Sequence, residues 1–269
     1  MSEAQAKSDP ALDLSRICQR LLVGTNKSGA TFIAEQFGVQ VWSNEFMEAL
    51  VQLRDRVTSF QALSQKFELD PEPRKDLDAA LNSIGRAFEF AALTSPWNNT
   101  GGGVTLLAAE HWKVVRMTSG AAKTHSHYPL LSQSEADEII KEIDELLSWL
   151  TDHQLEEYDL IRHAIIEGLK KFRFQLKHIE WLGWENAMGS LREVAHAYIA
   201  LHRGEIDPID MPSYAATNQK VSSFLHGQFA KLLKVKESVE GIVWIYAGIK
   251  VIADMTSNNP LPLLGFSSS

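Results

Sequence analysis

The chain has 269 residues, 45% of them hydrophobic, enough for one large domain or two ordinary ones around a substantial core and too apolar for extended disorder. Its formal charge of −8 supplies no global field for nucleic acid or an anionic membrane, so either would need a local patch. The one cysteine, Cys18, excludes an internal disulfide framework, and its setting in "LSRICQRLL" reads as a buried, inert thiol on an apolar helix face.

The opening "MSEAQAKSDP" is polar and lacks the apolar run of a secretory signal. Apolar residues then recur at spacings of three and four, seldom two, which predicts an all-α fold, an irregular multi-helix bundle. Residues 11 to 23 form a short amphipathic helix, and "GTNKSG" at 24 to 29 is a turn. Ser43 caps a helix to about Phe67. Pro71 and Pro73 end the linker before another from about Arg74 to Leu93, with Leu77, Leu81, Ile84 and Phe88 on one face. These two helices read as a hairpin. A Pro/Asn/Gly loop at 95 to 103 and the ambiguous apolar "VTLLAAEHWKVVRM" follow. The uncharged stretch from Phe90 to Ala109 could span a bilayer by length, but "SPWNNTGGG" within it excludes a transmembrane segment.

The polar stretch 118 to 133 has Gly and Pro and no clear period. It reads as a loop or boundary between an N-terminal helical part (1–117) and a C-terminal helical bundle (134–269), with one continuous domain as the other arrangement. Ser132 and Glu135 match a capping box for a helix to about Leu150. The pattern from about Gln154 to Leu201 is longer than a globular helix usually runs, so it should bend or break before "GEIDPIDMPSY" at 204 to 214 stops it. Two more helices, near 217 to 237 and 239 to 255, precede an uncharged tail. No internal repeat or sustained heptad is present.

Within the long pattern, Ile165, Leu169, Phe172, Leu176 and Ile179 make one apolar stripe. Trp181, Trp184, Met188, Leu191, Ala195 and Tyr198 make a second, rotated by roughly 110°. Gly183 marks the change and is the expected kink. Trp181 and Trp184 are expected deep in the core, with Trp97, Trp112, Trp149 and Trp244 also assigned to the interior. On a continuous helix, His178, Glu185, Arg192, His196 and Arg203 fall within about 40°. That ladder is a solvated face with modest charge pairing, or the lining of a cleft or subunit contact, and is the candidate interaction face.

Arg173 and His178 have R-x4-H spacing, which resembles the signature of the HEPN ribonucleases. The resemblance implies an all-α dimer cleaving RNA without a metal, His moving a proton and Arg stabilising the phosphorane charge. Phe174 departs from the polar residue common after that Arg, and five helical steps would separate the two side chains by about 140°. Arg192 and His196 would be the accompanying pair. Glu193 and His196 give a single Glu-x-x-His where dimetal bundles use two, and His125 and His127 would need further ligands, so no metal and no cofactor is expected. "GTNKSG" lacks the Gly-Lys-Ser/Thr core of a phosphate loop. "NNTGGGVT" at 98 to 105 has no cation and reads as a mobile loop.

Charge is segregated. Between Ser134 and Leu160 stand ten carboxylates against one lysine, and from Arg162 to Lys177 five cations against Glu167. Adjacent helices could neutralise one another, or the acidic face could dock a basic partner. The expectation is a soluble, cytoplasmic helical interaction or regulatory protein that assembles with itself or another protein and has no recognisable catalytic site. The alternatives are an RNA-cleaving HEPN-like enzyme using Arg173 and His178, and a membrane-surface protein acting through "GIVWIYAGIKVIA" at 241 to 253.

Overall fold

Side-chain caps and prolines set where the helices start. The computed structural model describes residues 9–125, 133–153, 159–202 and 212–233. α1 (Pro10–Leu21) opens with the Asp9 carboxylate accepting from the Leu12 N–H and with Pro10 in the first turn, where a missing N–H costs nothing. Ser28 caps α2 (Gly29–Phe37), and Ser43 caps α3 (Asn44–Ser64) by accepting from the Phe46 N–H at 3.2 Å. α4 (Pro71–Arg86) begins at Pro71, ahead of the expected Arg74, because the first turn accommodates both prolines. The same expected helix ends early. Glu89 is extended, and α5 (Phe90–Thr94) is a separate turn of helix.

The ambiguous apolar segment is helical, as α6 (Gly103–Leu106) and α7 (Ala109–Met117). Part of the stretch expected as a loop, 118 to 133, is also helical, as α8 (Ser119–His125). Its small residues escape periodicity, yet Ala122 is fully buried and the Ser119 hydroxyl bonds the Asp9 carboxylate at 2.5 Å. α9 (Gln133–Asp152) follows. The long pattern divides into α10 (Asp159–Lys177), α11 (Ile179–Leu182) and α12 (Trp184–His202), and α13 (Pro212–Leu233) completes the described residues. The break falls at Gly183, whose φ of 80° and ψ of 158° suit glycine alone. A Cβ there would also meet the Arg56 guanidinium at 3.0 Å. Among the described residues the fold is all-α, with an isolated antiparallel bridge between Ser28 and Pro96. No helix among them is long and apolar enough to cross a membrane. The expected helix at 239 to 255, Trp244 and the run at 241 to 253 lie outside the described residues.

The described residues group into two compact units. The first comprises those up to 125 with His178–Asn186, and the second those from 133 to 177 and from 187 onward. In the first unit, α7 packs on α1 and α4, burying Leu14, Ile17 and Leu21 of α1, Leu77, Leu81 and Ile84 of α4, and Val115. Phe88, the last of the four residues expected on that face, is buried as well.

Trp97 is fully buried, with its ring 5.5 Å from that of Phe32 and its Nε1–H donating to the Leu21 carbonyl at 2.9 Å. Around it the two glycine-bearing stretches of the sequence pair with each other. The Trp97 N–H donates to Lys27 O at 2.8 Å, the Gly29 N–H to Ser95 O at 3.0 Å, and Asn98 Nδ2 to Asn26 Oδ1 at 2.7 Å. The stretch 98 to 105, expected to be mobile, is therefore packed, with the Gly102 N–H on Asn99 O and the Val104 N–H on Trp97 O. A Cβ on Gly29 would lie 2.9 Å from Trp97 Cε3, and one on Gly103 would fall inside the van der Waals envelope of the six-membered ring. Burial of about 200 Å² of indole at roughly 25 cal/mol per Å² stabilises this junction by about 5 kcal/mol at most.

In the second unit, the apolar stripes face inward. Ile139, Ile143, Leu146 and Leu150 of α9, Ile165, Leu169, Phe172 and Leu176 of α10, and Met188, Leu191, Ala195 and Tyr198 of α12 are buried. α10 and α12 cross closely at Gly168, where a Cβ would lie 2.8 Å from Val194 Cγ2. Arg162 is buried and ties the end of α9 to the start of α10, donating to Leu150 O at 2.6 Å and to Asp159 Oδ1 at 2.5 Å.

Gly103→Ala is expected to destabilise the protein by about 3 kcal/mol or more, because the indole has no space to yield. Gly24→Ala, whose Cβ would meet nothing within 4 Å, should change stability little. Urea denaturation followed by circular dichroism measures both.

Candidate functional site

The break at Gly183 undoes the expected basic ladder. His178 precedes α11 and belongs to the first unit, where it is half-buried and sets its ring edge against Phe37 at 5.1 Å between centroids. Arg192 and His196 remain one turn apart on α12, in the second unit, but no continuous helix joins them to His178. The Glu185 side chain and Arg203 lie outside the described residues. Arg192 is half-buried, with its Nε enclosed and making no hydrogen bond, and His196 is exposed. Glu193 is held by Lys171 Nζ at 3.0 Å.

Arg173 is exposed on α10 and its Nε lies 2.5 Å from Asp144 Oδ1 of α9. It belongs to the second unit, and His178 to the first. The His125 ring stacks on Phe67 at 5.9 Å, and His127 lies outside the described residues. No group of three or more His, Cys, Asp or Glu side chains among the described residues is placed to hold a metal ion. Burial pushes the Cys18 thiol up to about 12, so it stays protonated at neutral pH.

Trp181 is half-buried, contrary to the expectation of a deep core position. It lies against Phe37 at 5.5 Å, with the Arg20 guanidinium 5.3 Å over its ring, and its carbonyl accepts from Arg56 Nη1 at 2.8 Å. Glu180 holds the same Arg20 at 2.5 Å. Polar partners thus surround an indole at the surface of the first unit. The Trp184 side chain lies outside the described residues, and Trp112 is half-buried.

The outer face of α9 provides an open concavity among the described residues. A groove of about 750 Å³ is lined there by Asp137, Lys141, Asp144, Glu145, Asp152 and Trp149, with Lys220 of α13 at its side. The Trp149 ring carries the Lys220 ammonium at 5.4 Å on one contact and stacks on His153 at 4.0 Å on another. His153 Nδ1 donates to Trp149 O at 2.8 Å. α13 is attached to α9 further along by Gln228, whose amide donates to the Glu142 carboxylate. Asp144 is engaged by Arg173, while Asp137, Glu145 and Asp152 are exposed. The excess of carboxylates in this segment is visible in the sequence, but periodicity assigns Trp149 to the core, and Lys220, far away in the chain, gives no signal. Chemically, the groove offers negative charge around a half-buried aromatic ring, which suits a cation with an aliphatic stem.

The first unit has its own charged cluster, at Asp9, the cap of α1, and Asp13 within it. Asp13 lies 3.8 Å from Arg56, and Asp9 lies 3.5 Å from Lys123. Burial raises the Asp13 carboxyl above its ordinary value of 3.8, outweighing the lowering effect of Arg56 and Arg16, while Asp9 adds to the rise. A raised folded-state value favours folding below the ordinary value, and this advantage is lost as pH rises through the raised one. The stability of the wild type relative to Asp13→Asn is therefore expected to fall as pH climbs from 3.8 towards neutrality, as read by urea denaturation across that range. No protein-family model, no curated protein and no solved structure matches this chain.

Proposed function

We propose that the protein is a helical interaction protein whose outer α9 face receives a cationic segment of a partner protein. The observation that carries this reading is the groove of about 750 Å³ in which four carboxylates outnumber Lys141 and Lys220 around Trp149. Asp144 and Glu145 are neighbours, and Asp137 and Asp152 stand two turns to either side, roughly 10 Å by helix rise, so with a screening length of about 8 Å at physiological ionic strength their fields overlap in part on an incoming cation. Lys220, over the indole at 5.4 Å, is an internal instance of the group such a ring accepts. The neighbouring Arg173 is already matched to Asp144, which favours a role in ordering this face over a role in RNA cleavage. A cytoplasmic setting fits a chain with one cysteine held as a buried thiol.

A fluorescein-labelled, lysine-rich helical peptide titrated into the full chain and followed by anisotropy tests the reading. Saturable binding should weaken steeply with added salt, and by about tenfold in the triple variant Asp137→Asn, Glu145→Gln, Asp152→Asn, which leaves the Arg173–Asp144 pair intact. Binding indifferent to both changes would contradict the proposal.

A further inference from the structure

Between α2 and α3 the chain makes a tight turn from Gln40 to Ser43, closed by the Ser43 N–H donating to Gln40 O at 3.1 Å. Its third residue, Trp42, has φ of 64°, and it is the one non-glycine at positive φ among the described residues. A turn with positive φ at that position alone is of type II, where glycine is favoured because a Cβ crowds the backbone. The chain places its largest side chain there instead. A strained residue persists only where its surroundings hold it, and such residues gather at functional surfaces.

What the turn achieves is exposure of an aromatic. Trp42 is 48% exposed and Phe90, at the start of α5, is 71% exposed, with the two rings 6.1 Å apart. Trp42 also meets the buried Phe46 ring edge-on at 5.4 Å, so the pair stands on the core of the first unit. Val41 precedes it in the turn, and Met47 and Val51 lie one turn apart on the outer side of α3, all three exposed. These five are most of the eight exposed large hydrophobics among the described residues. Singly exposed apolar residues need no explanation, whereas two exposed aromatic rings in contact with each other form the kind of apolar patch that marks a contact surface.

Charge selects the occupant. Exposed carboxylates adjoin the aromatic pair from both contributing elements, Glu45 in the first turn of α3 and Glu89 immediately before Phe90. Along the chain, Glu89 is the immediate neighbour of Phe90 and Glu45 follows Trp42 by three residues, whereas Arg54 lies three residues beyond Val51 and Arg86 four residues before Phe90. A second copy of the patch would set these carboxylates against themselves, and an anionic bilayer would be repelled by them. We infer that Trp42 and Phe90 form a docking surface for an apolar segment of a partner protein flanked by lysine or arginine. This surface is separate from the α9 groove and does not rest on it.

The test uses the full chain and a labelled amphipathic peptide with leucine and tryptophan anchors and lysines at its ends, alongside the same peptide with the anchors replaced by alanine. Trp42→Gly relieves the turn, so this variant should melt within a few degrees of the wild type, yet bind the anchored peptide at least about tenfold more weakly. Phe90→Ser, at an exposed position, should show the same separation of binding from stability. The alanine peptide should lose the same affinity on the wild type, and the triple substitution on α9 should leave the part of the binding that Trp42→Gly removes in place. Equal affinity for wild type and both variants would overturn the inference. So would self-association, by sedimentation velocity, that Trp42→Gly abolishes, or flotation with phosphatidylserine-containing vesicles that it abolishes, since either names a different occupant.

Discussion

Burying the Trp97 indole requires that Gly29 and Gly103 carry no Cβ and that the indole N–H reach the Leu21 carbonyl. That single side chain joins the end of α1, the turn at 24 to 29 and the loop at 95 to 103, which are far apart in sequence and have few apolar residues of their own. Much of the first unit follows from it. The bridge between Ser28 and Pro96 sets where α2 begins, and α2 in turn carries Phe37, against which His178 and Trp181 rest. Backbone N–H groups that could have cradled an anion are consumed in the junction, so glycine here serves close packing. Among the described residues of the second unit there is no such junction. Its order comes from conventional helix stripes and from Arg162, which closes α9 onto α10.

Much of this architecture was legible in the sequence where the signal is local. Ser43 as a cap, the face of Leu77, Leu81, Ile84 and Phe88, and the interruption at Gly183 depend on neighbours within a turn or two. What was illegible depends on contacts between distant residues. "NNTGGGVT" reads as a mobile loop until Trp97 is placed inside it, and "SGAAKTH" has too few large apolar residues to announce α8. The strained turn at Trp42 contradicts local preference outright, so no propensity argument could have found it.

The candidate site shows the same division. The ladder from His178 to Arg203 assumed one continuous helix, and the residue identified as the kink was also the residue that invalidated the ladder. Segregated charge is the better guide, because Asp137, Asp144, Glu145 and Asp152, at intervals of about two helical turns, stay together on one face of α9. Arg173, which drew attention as half of an R-x4-H pair, instead contributes to the charge balance between α9 and α10. Large aromatic area alone assigns Trp149 to the interior. Its half-burial and its contact with Lys220 required the packing of α13, which local periodicity does not encode.

The central claim is that the chemistry of this protein lies in recognition on the outer face of α9. Carbodiimide labelling of carboxylates, quantified by mass spectrometry with and without a saturating lysine-rich peptide, tests it most directly. The account predicts that labelling of Asp137, Glu145 and Asp152 falls on binding while that of Glu68 and Glu72, exposed in the first unit, is unchanged. Uniform labelling in both states, or protection confined to carboxylates away from α9, would contradict it.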